Sequence, residues 1–172
     1  MPREVHIPVR RDELIALARA TREKYRFLTL DEIAEAENIV LVRMPDPSAS
    51  SGGFAYTEIL EEHGERVAVD SIVMNPKYKN SDGELVSEEQ IFWHEFYHLW
   101  YSPSRIDTVA DFYEYSTHNV LHSQEERRAE EFTAAVLIHS IGARDTIASI
   151  QERYGITSAL AEIGLKLLGG RL

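Results

Sequence analysis

His94 and His98 stand four residues apart in the stretch His94-Glu95-Phe96-Tyr97-His98. Four helical residues advance the chain by about 400°, so both imidazoles leave one face, a turn apart. Two rings so placed can hold one tetrahedral metal ion. Glu95 lies about 100° further round the helix. A carboxylate there is near a metal without being forced to ligate it. It can take a proton from a water that the metal polarises. The flanking residues Ile91-Phe92-Trp93 and Leu99-Trp100-Tyr101 make the helix apolar nearly all round, so it should be buried. Burying an unpaired Glu95 beside two histidines is costly, and a divalent cation removes that cost. The plainer alternative keeps both histidines as hydrogen-bonded core residues, with Glu95 reaching solvent.

A hydrolytic zinc site takes three protein ligands and keeps a fourth position open. Extension of the motif to His-x-x-Gly-x-x-His is excluded, because Tyr101 and Ser104 stand where the glycine and histidine would be. A later helix supplies glutamates instead, in Ser123-Gln124-Glu125-Glu126-Arg127-Arg128-Ala129-Glu130-Glu131-Phe132. Ala129, Phe132, Val136 and Leu137 form its core-facing stripe. Glu126 sits one turn before Ala129, on the inward side, and is the best third ligand. Glu130, on nearly the same face, is placed to accept a hydrogen bond from a ligating histidine. Glu125 and Glu131 read as turned away and solvated. His118 and His122 are rival ligands, and better candidates to stabilise the oxyanion formed when water attacks a peptide carbonyl. His122 is the one chosen for that role, and Tyr113 and Tyr115 are further candidates. For each of these four, surface or core packing is the plainer reading. His6, His63 and His139 lack a matching spacing and read as structural or exposed.

The elements that must position these groups follow from periodicity and caps. Helices are expected over 11–25 and 29–38, the second opened by a Thr29/Glu32 capping box. A strand over 39–43 comes next. The Pro-, Ser- and Gly-rich tract 45–53 is a loop. Strands over 54–60 and 66–74 form a hairpin around a turn at 61–65. The metal-binding helix runs over 88–101, started by Ser87 and stopped by Ser102-Pro103. Helices over 106–115, 123–140, 143–154 and 158–168 complete the chain. Strands and helices are segregated, which indicates an α+β fold. A small, mostly antiparallel three-stranded sheet precedes a helical C-terminal half. The expected division is a zincin-like domain over 1–142 and a helical extension over 143–172 packed on it.

With 44% hydrophobic and 27% charged residues, the chain can bury a real core. Eighteen basic residues against 29 acidic ones give a net charge of -11, which repels a bare phosphate backbone. A basic protein or peptide is a better expected partner than nucleic acid. The absence of cysteine excludes thiolate ligands and cysteine nucleophiles. The first residues lack the apolar core of a signal peptide, and no apolar run reaches the roughly 20 residues of a membrane span. A cytoplasmic protein is expected.

His94-Glu95-Phe96-Tyr97-His98, followed downstream by Glu126-Arg127-Arg128-Ala129-Glu130-Glu131-Phe132, resembles the ImmA/IrrE family of metallopeptidases. The strand ending Ile72-Val73-Met74-Asn75 and the helix-strand lead-in over 30–42 look similar too. The resemblance implies a zinc-dependent endopeptidase, with His94, His98 and Glu126 as ligands and Glu95 as the base. It also implies a protein substrate, often a helix-turn-helix repressor in that family, and no direct contact with DNA. The main rival expectation is a non-catalytic, zinc-stabilised interaction module. An iron oxygenase, which also uses two histidines and a carboxylate, fits less well beside the base Glu95.

Overall fold

Short polar side chains, Thr29, Ser87, Thr146 and Thr157, set where four of the helices begin. The computed structural model describes residues 8, 10–102 and 120–169. Helices α1 (Arg11–Lys24) and α2 (Leu30–Ala36) lead into strand β1 (Ile39–Arg43). Strands β2 (Gly53–Glu62) and β3 (Glu65–Met74) follow, and then helices α3 (Glu88–Tyr101), α4 (Val120–Leu137), α5 (Ile147–Tyr154) and α6 (Ser158–Leu168). Thr29 Oγ1 accepts from Glu32 N while the Glu32 carboxylate accepts from Thr29 N, so the expected capping box opens α2. Ser87 caps α3 and Thr157 caps α6 through the side-chain oxygen alone. The capping box that Ser87 and Gln90 suggest in sequence is only half made, because the Gln90 amide bonds Thr157 instead. The chain is α+β. Helix α4 starts and ends earlier than expected, and α5 starts later, where Thr146 provides its cap. The helix expected over 106–115 lies outside the described residues. Among those residues, no helix is long and apolar enough to cross a membrane.

The sheet corrects one expectation. Its order is β1-β3-β2, with β2 antiparallel to β3 but β1 parallel to it, so it is mixed rather than mostly antiparallel. Arg43 and Gly53 both pair with Met74, so the loop over 44–52 crosses the end of β3. Asn75 pins that crossing. Its side chain donates to Asp46 O at 2.6 Å and accepts from Asp46 N at 2.9 Å, while Asn75 N donates to Gly52 O. The hairpin turns on two residues alone, His63 (φ 52) and Gly64 (φ 82). Positive φ at both central positions is the type I′ geometry, whose twist matches the strands it joins. Both strands therefore run further than expected. Their outer halves project past the core, leaving Ile59, Leu60 and Val67 exposed.

Helix α3 lies in the main core, where Phe92, Phe96 and Tyr97 are almost fully buried with Ile72 and Met74 of β3. Tyr97 packs on Phe132 of α4, ring centroids 5.3 Å apart, and this contact seats the two helices against each other. Arg22 of α1 donates to the carbonyls of Ala135 and Ile138, holding the far end of α4. Helices α5 and α6 close a second apolar cluster around Ile138, Ile150 and Leu160.

Candidate metal centre

Helix α3 is buried along most of its middle. Ile91, Phe92, Trp93, Phe96 and Leu99 face the core, whereas the His94 and His98 side chains keep 22% and 15% of their surface. Both imidazoles reach the cleft between α3 and α4. Glu126, in the second turn of α4, meets them there. Its Oε2 is 3.0 Å from His94 Nε2 and its Oε1 is 2.8 Å from His98 Nε2. The two Nε2 atoms are 3.2 Å apart. Among the described residues, these three side chains form the one group whose donor atoms all lie within 4.8 Å of one another.

The donor set fits a divalent cation. Ligand atoms about 2.0–2.1 Å from a tetrahedral zinc stand roughly 3.3 Å from one another. The 3.2 Å between the two ring nitrogens is close to that edge. Glu126 meets each ring with a different carboxylate oxygen, so one donor atom from each residue lies within 4.8 Å of the others. Two ring nitrogens and a carboxylate converging so tightly share one natural partner, a cation among their lone pairs. In the metal-free protein a proton takes part of that role. Burial works against a charged His94, but its bond to Glu126 and the charges of Glu95, Glu126 and Glu130 outweigh it and push it up to about 9. Burial would also raise the Glu126 carboxyl. The bonds from both histidines prevail and hold it well below the usual carboxylate range.

Glu95 is buried at 8% exposure and lines the same cavity, of about 620 Å³. Burial pushes its carboxyl above the usual range, against the pull of His94 and His98. A carboxyl raised in this way is suited to taking and giving a proton near neutral pH. Gly53, at the start of β2, makes room for it. A Cβ there would lie 2.5 Å from Val73 O, 2.9 Å from Ile91 Cγ2 and 3.4 Å from Glu95 Cγ. Only glycine lets the strand pass so near α3.

Other expected residues lie as follows. Glu130 lines the cleft from a more exposed position, and among the described residues no hydrogen bond joins it to His94 or His98. Its carboxyl is pushed up by burial first, with His94 pulling the other way. Glu125 is a correction. It is 7% exposed and accepts from Ser102 Oγ at 2.8 Å, tying the end of α3 to α4. Its phase explains this, since it lies one turn before Ala129 and two before Phe132 on the buried stripe. Glu131 is also more enclosed than expected, with 14% of its side chain exposed beside Arg127 and Arg11. Here α1 runs alongside the face that was read as open to solvent. His63 and His139 are exposed and do not line the cleft. His122 falls in the first turn of α4, but its side chain lies outside the described residues, as do His6, Tyr113, Tyr115 and His118.

The chain matches no protein-family model, no curated protein and no solved structure. Several residues that line the cleft carry no site signal in the sequence. Gly53 sits among the other small residues of a loop-like tract, and Gln90 reads as a capping partner of Ser87, although it stands four residues before His94 on the same helical face.

Proposed function

We propose that this chain is a zinc-dependent endopeptidase of the ImmA/IrrE type. The observation that carries the reading is the convergence of His94, His98 and Glu126 on one point, with the raised carboxyl of Glu95 in the same cavity. A zincin-like fold is part of the proposal, as is zinc, which favours two imidazoles and a carboxylate with one position left open. When bound, zinc supplies Lewis acidity to a water and to the scissile carbonyl.

The chain's own residues do the rest. His94, His98 and Glu126 bind the ion. Glu95 takes the proton of the attacking water and passes it to the leaving amine. Among the described residues strand β2 is the edge of the sheet nearest the cleft, and an extended substrate can pair with it. Glu130 acts on His94 through its charge rather than through a hydrogen bond, and His122 is assigned from the sequence to steady the developing oxyanion. The net charge of -11 favours a basic protein substrate over nucleic acid. A helix-turn-helix repressor in the same cytoplasm is the substrate to try first.

The test starts with the metal content of the purified protein, then follows cleavage of a peptide library. Glu95→Gln keeps the zinc and loses turnover by about a hundredfold or more, the usual worth of a positioned base. Equal turnover in wild type and Glu95→Gln would remove Glu95 from the mechanism. Chelation separates the rival: an enzyme loses cleavage, whereas an interaction module loses its fold or its partner.

A further inference from the structure

Gln90 lines the same cavity one turn before His94, and its amide is taken up by α6. Its Nε2 donates to Thr157 Oγ1 at 3.0 Å, and Thr157 N donates to its Oε1 at 3.1 Å. Thr157 is the buried cap of α6. Beside it, the Glu84 carboxylate accepts from Ser158 N, Ser158 Oγ and Gln151 Nε2. A carboxylate at the start of a helix satisfies a free N–H and complements the dipole. These bonds fix the first turns of α6 against the start of the metal helix.

The consequence lies in the cavity wall. Ala159, Leu160 and Ile163 of α6 line the same cavity as His94, His98 and Glu126, together with Val86 and Ile91. Ala159 and Ile163 share one helical face. Gln90 and Thr157 satisfy each other, so they place little polar demand on a ligand there. The cavity thus joins a cation-binding corner to an apolar wall.

We propose that α6 is the specificity wall of this site, selecting a leucine-sized aliphatic side chain next to the scissile peptide bond. The inference rests on the hydrolase reading above. Its test uses two zinc-binding probes on the zinc-loaded full chain: acetohydroxamate, and 4-methylpentanohydroxamate, which adds an isobutyl group. Burying that group should make the second probe bind about ten- to hundredfold tighter. Ile163→Asp should abolish most of the advantage, leaving zinc and acetohydroxamate affinities within about twofold. Ala159→Phe, at an exposed position that tolerates substitution, should do the same by filling the space.

No advantage for the isobutyl probe in the wild type overturns the proposal. So does an equal loss of both probes in the two variants, which marks the wall as structural only. Selective hydroxamate binding by a protein that cleaves no peptide would defeat the hydrolase reading and leave the wall intact. Cleavage indifferent to aliphatic residues, with no hydroxamate selectivity, would defeat the wall alone.

Discussion

Replacing Glu126 by glutamine keeps the side-chain shape and removes the charge that meets both histidines at 3.0 and 2.8 Å. In the wild type, zinc held at a hundred times its dissociation constant stabilises the fold by about 2.7 kcal/mol. A chain of this size answers with about 2–4 °C per kcal/mol, so the melting temperature should rise by about 5–11 °C. Losing one of three ligands should weaken zinc by at least the roughly hundredfold that outer hydrogen-bond partners are worth. At the same free zinc, about 0.4 kcal/mol then remains, a shift of about 1 °C. An opposing effect must be reduced first. Glu126 also helps hold the His94 proton up to about pH 9, and that proton competes with zinc. Calorimetry at pH 9 with chelator-buffered zinc cuts this competition to about twofold, because about half of the His94 rings are then deprotonated. A zinc-induced shift in Glu126→Gln equal to the wild-type shift would refute the assignment of Glu126 as a ligand.

The remaining predictions concern packing and pH. Gly53→Ala forces β2 away from Val73 O and Glu95, costing about 1–3 kcal/mol; cleavage should fall further than stability while zinc affinity holds, as a zinc titration beside a turnover assay will report. Phe132→Ala empties the fully buried contact with Tyr97 between α3 and α4, and urea unfolding should show a loss of about 3–5 kcal/mol. Raising the folded pKa of His94 from 6.5 to about 9 means the metal-free fold gains stability that is fully present below pH 6.5 and fades as pH rises through about 9. Zinc affinity should accordingly climb about tenfold per unit from neutral pH and level off near 9. A flat affinity across that range in chelator competition would contradict the protonated state of the free site.

The ligand group was largely legible because its signals are local. Spacing of four residues put His94 and His98 on one face, and the apolar stripe around Ala129 turned Glu126 inward. The same stripe also buried Glu125, which charge alone had suggested was solvated. The loop over 44–52 was recognisable as a loop, but its composition carries no sign of the direction it takes. The parallel pairing of β1 with β3 depends on that direction, and on Asn75 gripping Asp46 from 29 residues away. The roles of Gly53 and of α6 were hidden for a similar reason. A close approach between strand and helix, or a bond from Gln90 to Thr157, joins positions that no helical or strand period connects.

That bond between Gln90 and Thr157 spans 67 positions. The three residues that could hold an ion, by contrast, all fall between His94 and Glu126. The possible ion group draws nothing from α6, whereas the cavity takes Ala159, Leu160 and Ile163 from it in addition to Gly53, Val86 and Ile91 from earlier stretches. Sequence change in α6 can then alter what the cavity accepts while the ion's surroundings stay as they are.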